Sequence, residues 1–205
     1  MLNSEAVLIS GLEKLGFKNK EFLLSKLLIY MDLLFKWNKV FNLISIKRKE
    51  EIVTHHFLDC LAIIPYIKGE NILDVGSGAG LPGIIIGICY PDKKITLVES
   101  VGKKTAFLKQ ICLELKLENI NVIHNRVEKI KTDRLFDSII ARAFAEMQIL
   151  IDLTSHLIVQ NGNWYGMKSK KMRKEKISSH YNVERRLLSV PYLDAERYLV
   201  KINKR

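Results

Sequence analysis

Asp74-Val75-Gly76-Ser77-Gly78-Ala79-Gly80 closes one apolar run, and Leu81-Pro82-Gly83 opens a second that continues to Ile88. Apolar run, glycine cluster, apolar run reads as strand, tight turn and helix start. Small residues in such a turn let a ligand approach the backbone. Twenty-five residues past Asp74, the strand-like Lys94-Ile95-Thr96-Leu97-Val98 ends in Glu99. A carboxylate at the tip of the next strand can hold the hydroxyls of a ribose. The two features together predict a parallel sheet with a nucleoside-sized crevice beyond its carboxyl ends.

The rest of the chain supports that sheet. Strand-like runs recur at 71–75, 94–99, 121–124, 136–141 and 164–167, separated by helical patterns at 82–90, 102–117 and 146–159. Short strands alternating with helices predict βαβ units covered on both faces. Two further strand-like runs, 183–190 and 197–202, are joined through Pro191 with no helix between them. They predict an antiparallel hairpin at one edge of a mixed sheet. Pro82 suits the first position of the helix after the glycine turn, where its missing N–H has no helical partner. Upstream, apolar residues at three-and-four spacing predict helices over 4–15 and 19–40, and a third over 49–64 ends at Pro65. We therefore expect a helical subdomain over 1–66 and a Rossmann-like α/β domain over 67–205. Trp37 and Phe41 are expected to pack the N-terminal helix on the sheet.

Charge narrows the partners. The net charge is +11, and residues 167–205 alone carry 12 Lys and Arg against 4 acids. The densest part is Lys168-Ser169-Lys170-Lys171-Met172-Arg173-Lys174-Glu175-Lys176, which is an electrostatic footprint for polyanions or a solvated surface loop. Cys60, Cys89 and Cys112 lie in apolar surroundings without CxxC spacing, as expected of core residues in a reducing compartment. His55, His56 and Asp59 share a helical turn, but no further cluster at ligand spacing accompanies them, so no metal is expected. No stretch reaches the length of a membrane span, and a cytoplasmic protein, working as a monomer, is the expectation.

Gly78-Ala79-Gly80-Leu81-Pro82-Gly83 also fits GxGxxG, so a dinucleotide dehydrogenase has to be weighed. Asp74 immediately before the glycines, with Glu99 downstream, favours a nucleoside cofactor whose site holds no pyrophosphate. That pattern resembles the S-adenosylmethionine site of class I, Rossmann-like methyltransferases. More of the chain is similar to one family, the RsmG (GidB) small-subunit ribosomal RNA guanine-N7 methyltransferases. The matching segments are residues 37–45, His56-Phe57-Leu58-Asp59, residues 74–83, Asn125-Arg126-Val127-Glu128, Ala141-Arg142-Ala143-Phe144-Ala145 and Met167-Lys168, in that order. Ala79 stands where the family often has proline, and a Lys-rich stretch follows Lys168.

The resemblance implies roles at those positions. Asp74, Gly76, Gly78 and Leu81 would form the S-adenosyl-L-methionine site, with Glu99 at the ribose and Val127 and Glu128 flanking the adenine. Arg142 would sit where cofactor and target base meet. Asn42, His56, Arg126 and Lys168 would be further residues of the cleft. The implied substrate is a guanine of 16S ribosomal RNA, free or in a ribosomal particle. Guanine N7 carries a lone pair and no proton, so positioning rather than a strong base drives transfer. Arg142 or Arg126 would grip O6 or a phosphate and stabilise developing charge. The chain has no Asn/Asp-Pro-Pro-Tyr/Phe segment for exocyclic amines, and no cysteine adjoins a proline as covalent attack on a pyrimidine would suit. A small-molecule methyltransferase and a non-catalytic nucleotide- or RNA-binding module remain as alternatives.

Overall fold

The computed structural model describes residues 3–46, 48–144, 146–169 and 175–205. Among the described residues seven strands form: β1 Asn71–Val75, β2 Lys94–Glu99, β3 Ile120–His124, β4 Phe136–Arg142, β5 Ile158–Ser169, β6 Tyr181–Leu188 and β7 Arg197–Lys204. They make one sheet in the order β3-β2-β1-β4-β5-β7-β6. The first five strands are parallel, and β7 runs antiparallel to both β5 and β6. The expected edge hairpin is thus present.

Every residue of β1 is buried, because both faces of the strand are covered. Ile72, Leu73 and Val75 suit such a central parallel strand, while the buried polar side chains of Asn71 and Asp74 are hydrogen-bonded. One face, with Ile72, Ile140, Tyr165 and Leu199, joins the larger apolar cluster. The helices on that side are α1 Ser4–Lys14, α2 Lys20–Phe41, α5 Gly83–Cys89 and α6 Gly102–Glu114. The other face, with Leu73, Val75 and Ile139, packs under α7 Met147–Thr154. The N-terminal helices therefore share their core with the sheet. Within it Tyr30 stacks on Phe57 at 5.0 Å, and Trp37 rests on Phe107 of α6 at 5.4 Å. Trp37 thus meets a helix that covers the sheet rather than the sheet itself.

The stretch expected as one helix over 49–64 is built in pieces: α3 Lys49–Ile52, a π-helical turn Val53–Phe57 and α4 Leu58–Leu61. A π turn re-aims the side chains after it and often marks a functional position. Pro82 stands one residue before α5 rather than inside it. The helix expected over 146–159 stops at Thr154, and β5 has begun by Ile158. Leu157-Ile158-Val159 continues the helix's apolar pattern, but Ile158 pairs with Phe136 of β4. Thr154 closes the helix: its hydroxyl donates to the Leu150 carbonyl and accepts the Trp164 indole N–H. The polar Gln160-Asn161 stretch concealed the first half of that strand. Of the basic run 168–176, residues 170–174 lie outside the described residues, as does Ala145.

Candidate active site

Strand order reverses between β1 and β4, since β2 flanks one side of β1 and β4 the other. A crevice outside the carboxyl ends of these strands follows from that topology. The loop leaving β1 forms its floor. Gly76, Gly78 and Gly80 all have positive φ, at 66°, 58° and 87°, where side chains other than glycine's are strained. Through residues 71–88, Gly76 is exposed and Gly78 half-buried while all the others are buried. The backbone of these two glycines is what the loop offers to a ligand.

Asp74 holds the loop from beneath. It is fully buried, and its Oδ2 accepts the Gly83 N–H at 2.9 Å at the start of α5. Burial pushes its carboxyl up to about 7, against the opposing pull of the Gly83 N–H and the Arg142 charge. Gly83 is obligatory at this approach: a Cβ there would lie 2.2 Å from Leu97 Cδ2 and 2.6 Å from Asp74 Oδ2. Asp74 thus sets the loop's shape.

Glu99 ends β2 and is also buried. Its Oε2 accepts the Gly78 N–H and its Oε1 the Val101 N–H, each at 2.9 Å. The acid at the second strand tip therefore clamps the glycine loop to the start of α6. Beside it is a cavity of about 210 Å³, lined by Val75, Gly76, Val98, Asn125, Val127 and Glu128 among others. Phe144 closes its side, 3.5 Å from where a Gly76 Cβ would be. Val127 is buried in the wall, while Arg126 and Glu128 stand exposed at the rim with their charged ends 3.9 Å apart. Leu81 differs from expectation. It is 4% exposed and belongs to the larger apolar cluster, so its side chain supports the loop from within the core.

A charged cluster joins the tips of β4 and β7 to the π turn. Arg142 Nη2 donates to His56 Nδ1 at 2.8 Å, and its Nη1 lies 3.5 Å from Asp59 Oδ2. Arg197 Nε approaches Asp59 Oδ1, also at 3.5 Å. A guanidinium can only donate, so His56 must be neutral, with its proton on Nε2. Burial, then the Arg142 charge, lowers His56 to about 3, and its buried Nε2 has no hydrogen-bond partner among the described residues. Burial raises Asp59, and the two arginines pull it back. The cluster fixes the direction in which Arg142 points.

Lys168, near the end of β5, is buried and pairs with Glu175 at 2.8 Å. Glu175 Oε2 also accepts the Met147 N–H at the start of α7. Asn42 stands apart from these groups: it is the exposed C-terminal cap of α2, with φ 49°, where asparagine tolerates the left-handed region. Asp59, Arg197 and Glu175 belong to these networks without having been expected there. Asp59 carried a visible signal, since it closes the His56-Phe57-Leu58-Asp59 segment. Arg197 begins β7, one strand in from the sheet edge, and Glu175 sits in a Lys-rich run, so neither stood out locally. Among the described residues no group of three His, Cys, Asp or Glu could hold a metal, and no helix is long and apolar enough to cross a membrane.

Sheet order, glycine loop and strand-tip acid define a Rossmann-like α/β fold of the methyltransferase type. A structure described as a SAM dependent methyltransferase from Aquifex aeolicus superposes with a TM-score of 0.56 at 16% identity, covering 74% of this chain and 92% of the other. The family model for rRNA small subunit methyltransferase G (GidB) matches residues 23–197, and the chain belongs to that family. It is 42% identical over 199 residues to the ribosomal RNA small subunit methyltransferase G of Ruthia magnifica, with 97% of each protein covered. The protein of the same name from Methylobacillus flagellatus is 41% identical over 193 residues, covering 93% of this chain and 94% of the relative.

Proposed function

We propose that this chain transfers a methyl group from S-adenosylmethionine to N7 of a guanine in 16S ribosomal RNA, acting as a cytoplasmic monomer without a metal. The observation that carries the reading is Arg142. It is held by His56 and Asp59 at the tip of β4 beside the glycine cradle, in a chain of the methyltransferase G family.

The cavity suits an adenosine. Val75, Val98 and Val127 supply apolar walls for a base, and Asn125 and Glu128 a polar edge. The exposed Gly76 backbone lets the sugar lie close. Each Glu99 oxygen already accepts one N–H, but an ionised carboxylate has about four acceptor sites, which leaves room for ribose hydroxyls. The sulfonium brings a methyl group that leaves a neutral thioether behind. What the protein adds is alignment of the guanine, which proximity and orientation supply without a general base. Arg142 orients the base through O6 and leaves the N7 lone pair free. Arg126, exposed at the rim, reaches the RNA backbone, and the N-terminal helical layer over 1–66 forms one wall of the cleft. Lys168 and Glu175 hold β5 to the start of α7 at the cleft edge.

The test is incorporation of labelled methyl from S-adenosylmethionine into small-subunit ribosomal RNA prepared from cells lacking this protein. We expect label in that RNA and not in transfer RNA, with Arg142→Ala reducing turnover at least a hundredfold at saturating substrates. Undiminished turnover by Arg142→Ala would remove it from the mechanism.

A further inference from the structure

A second groove lies on the helix-covered face of the sheet, away from the glycine loop. It runs between the linker ahead of β1 and the β7–β6 hairpin, and Tyr66, Lys68, Tyr165, Glu184, Arg186 and Lys201 are among its lining. Register explains the convergence. Lys201 of β7 is flanked by Tyr165 of β5 and by Glu184 of β6, and Arg186 pairs with Leu199 two residues away. Alternate residues share a face, so Arg197, Leu199 and Lys201 stand in one row. That row begins at the Asp59–Arg142 cluster and ends in the groove. At about 3.4 Å per strand residue, Lys201 lies about 14 Å from Arg197.

The groove's chemistry favours an anion. Lys68 and Arg186 are exposed and Lys201 half-buried, against the single acid Glu184. Arg186 is held in place: its guanidinium lies over the Tyr66 ring, 4.7 Å from the centroid, and its Nη2 is 2.9 Å from Glu184 Oε1. Tyr165 is the fully buried floor of the groove, its hydroxyl beside the Lys68 carbonyl and the Ser138 hydroxyl.

We propose that this groove binds the phosphate backbone of the RNA substrate, gripping the strand about 14 Å along β7 from Arg197 of the Arg142 cluster. The proposal rests on the RNA reading above and extends it to a site outside the cofactor crevice. Lys68, Arg186 and Lys201 neutralise phosphates. Such contacts position the RNA without reading its sequence.

The experiment measures binding of naked 16S ribosomal RNA to the full chain over a range of salt, with S-adenosylhomocysteine present, together with methylation kinetics. In the Lys68→Gln, Arg186→Gln, Lys201→Gln triple variant we expect KM for RNA to rise about tenfold and S-adenosylhomocysteine binding to be unchanged. The slope of log affinity against log salt should fall by about 2, since each lost phosphate contact on a single strand removes about 0.7. Glu184→Gln, which takes the one acid out of the groove, should move affinity the other way, two- to threefold tighter. An unchanged slope and KM in the triple variant, with intact methyl transfer, overturns the groove alone. So does weakening seen on assembled subunits but not on naked RNA, which would assign the groove to a ribosomal protein. Failure of the unaltered chain to bind or methylate RNA overturns the groove and the RNA reading together.

Discussion

Asp59→Asn is the most informative single change to the cluster that aims Arg142. The carboxylate lies between two guanidiniums, 3.5 Å from each, with only 6% of its side chain exposed. The amide has nearly the same shape but no charge, so two cations lose their common counter-ion. Removing one partner of a buried ion pair costs about 3–5 kcal/mol. The lower end applies here, because both contacts are longer than a hydrogen bond and Arg142 and Arg197 are 17% and 22% exposed, so each can turn toward solvent. We expect a stability loss of about 2–3 kcal/mol in urea denaturation. The catalytic effect is separable. Arg142 keeps its His56 contact but loses the second anchor, and one misdirected guanidinium is worth about 1.4–2.7 kcal/mol of barrier, a 10- to 100-fold fall in kcat. Single-turnover methyl transfer with saturating RNA and cofactor reads this directly, and KM for S-adenosylmethionine should stay within twofold. A kcat within twofold of the parent, in a folded variant, would refute the view that Asp59 positions Arg142.

Gly83→Ala drives a methyl against Leu97 and the Asp74 carboxylate. Overpacking at about 1–3 kcal/mol, plus a weakened hydrogen bond to Asp74, predicts a loss of at least 2 kcal/mol by urea melt and loss of cofactor binding by calorimetry. Asp74, raised to about 7, favours the folded chain most below its unfolded value of 3.8 and loses that advantage as pH rises toward 7. Asp74→Asn should therefore gain stability relative to the parent between pH 4 and 7, on the order of a few kcal/mol, in melts across that range. His56, lowered to about 3, has the opposite sign: its contribution is complete above its ordinary value of 6.5 and is lost as pH falls toward 3. His56→Gln should flatten the parent's loss of stability between pH 6.5 and 5, worth about 2 kcal/mol, while lowering kcat because Arg142 is held less firmly.

Local chemistry made much of this fold legible in the sequence. β1 and β2 stood out because each has a mostly apolar run that leads to an acid, Asp74 or Glu99, and the glycines because the turn after β1 needs positive φ three times. The first half of β5 was hidden, since polar residues 160–161 break the apolar signal and only pairing with β4 defines the strand. Gly76, Val127 and Glu128 line the cavity beside Glu99, and Arg142 stands at the β4 tip. The burial of the Leu81 side chain was not legible, because an apolar residue in a loop gives no sign of which way it faces. Arg197 was invisible for a different reason: its partner Asp59 lies 138 residues away, and only the antiparallel return of β7 brings them together.

The identity of the methylated nucleoside tests the central claim most directly. Small-subunit ribosomal RNA incubated with this chain and S-adenosylmethionine should be digested to nucleosides and resolved by mass spectrometry. The account predicts 7-methylguanosine, formed only when both protein and cofactor are present. Methyl groups on another base atom or on ribose, or none at all, would contradict it.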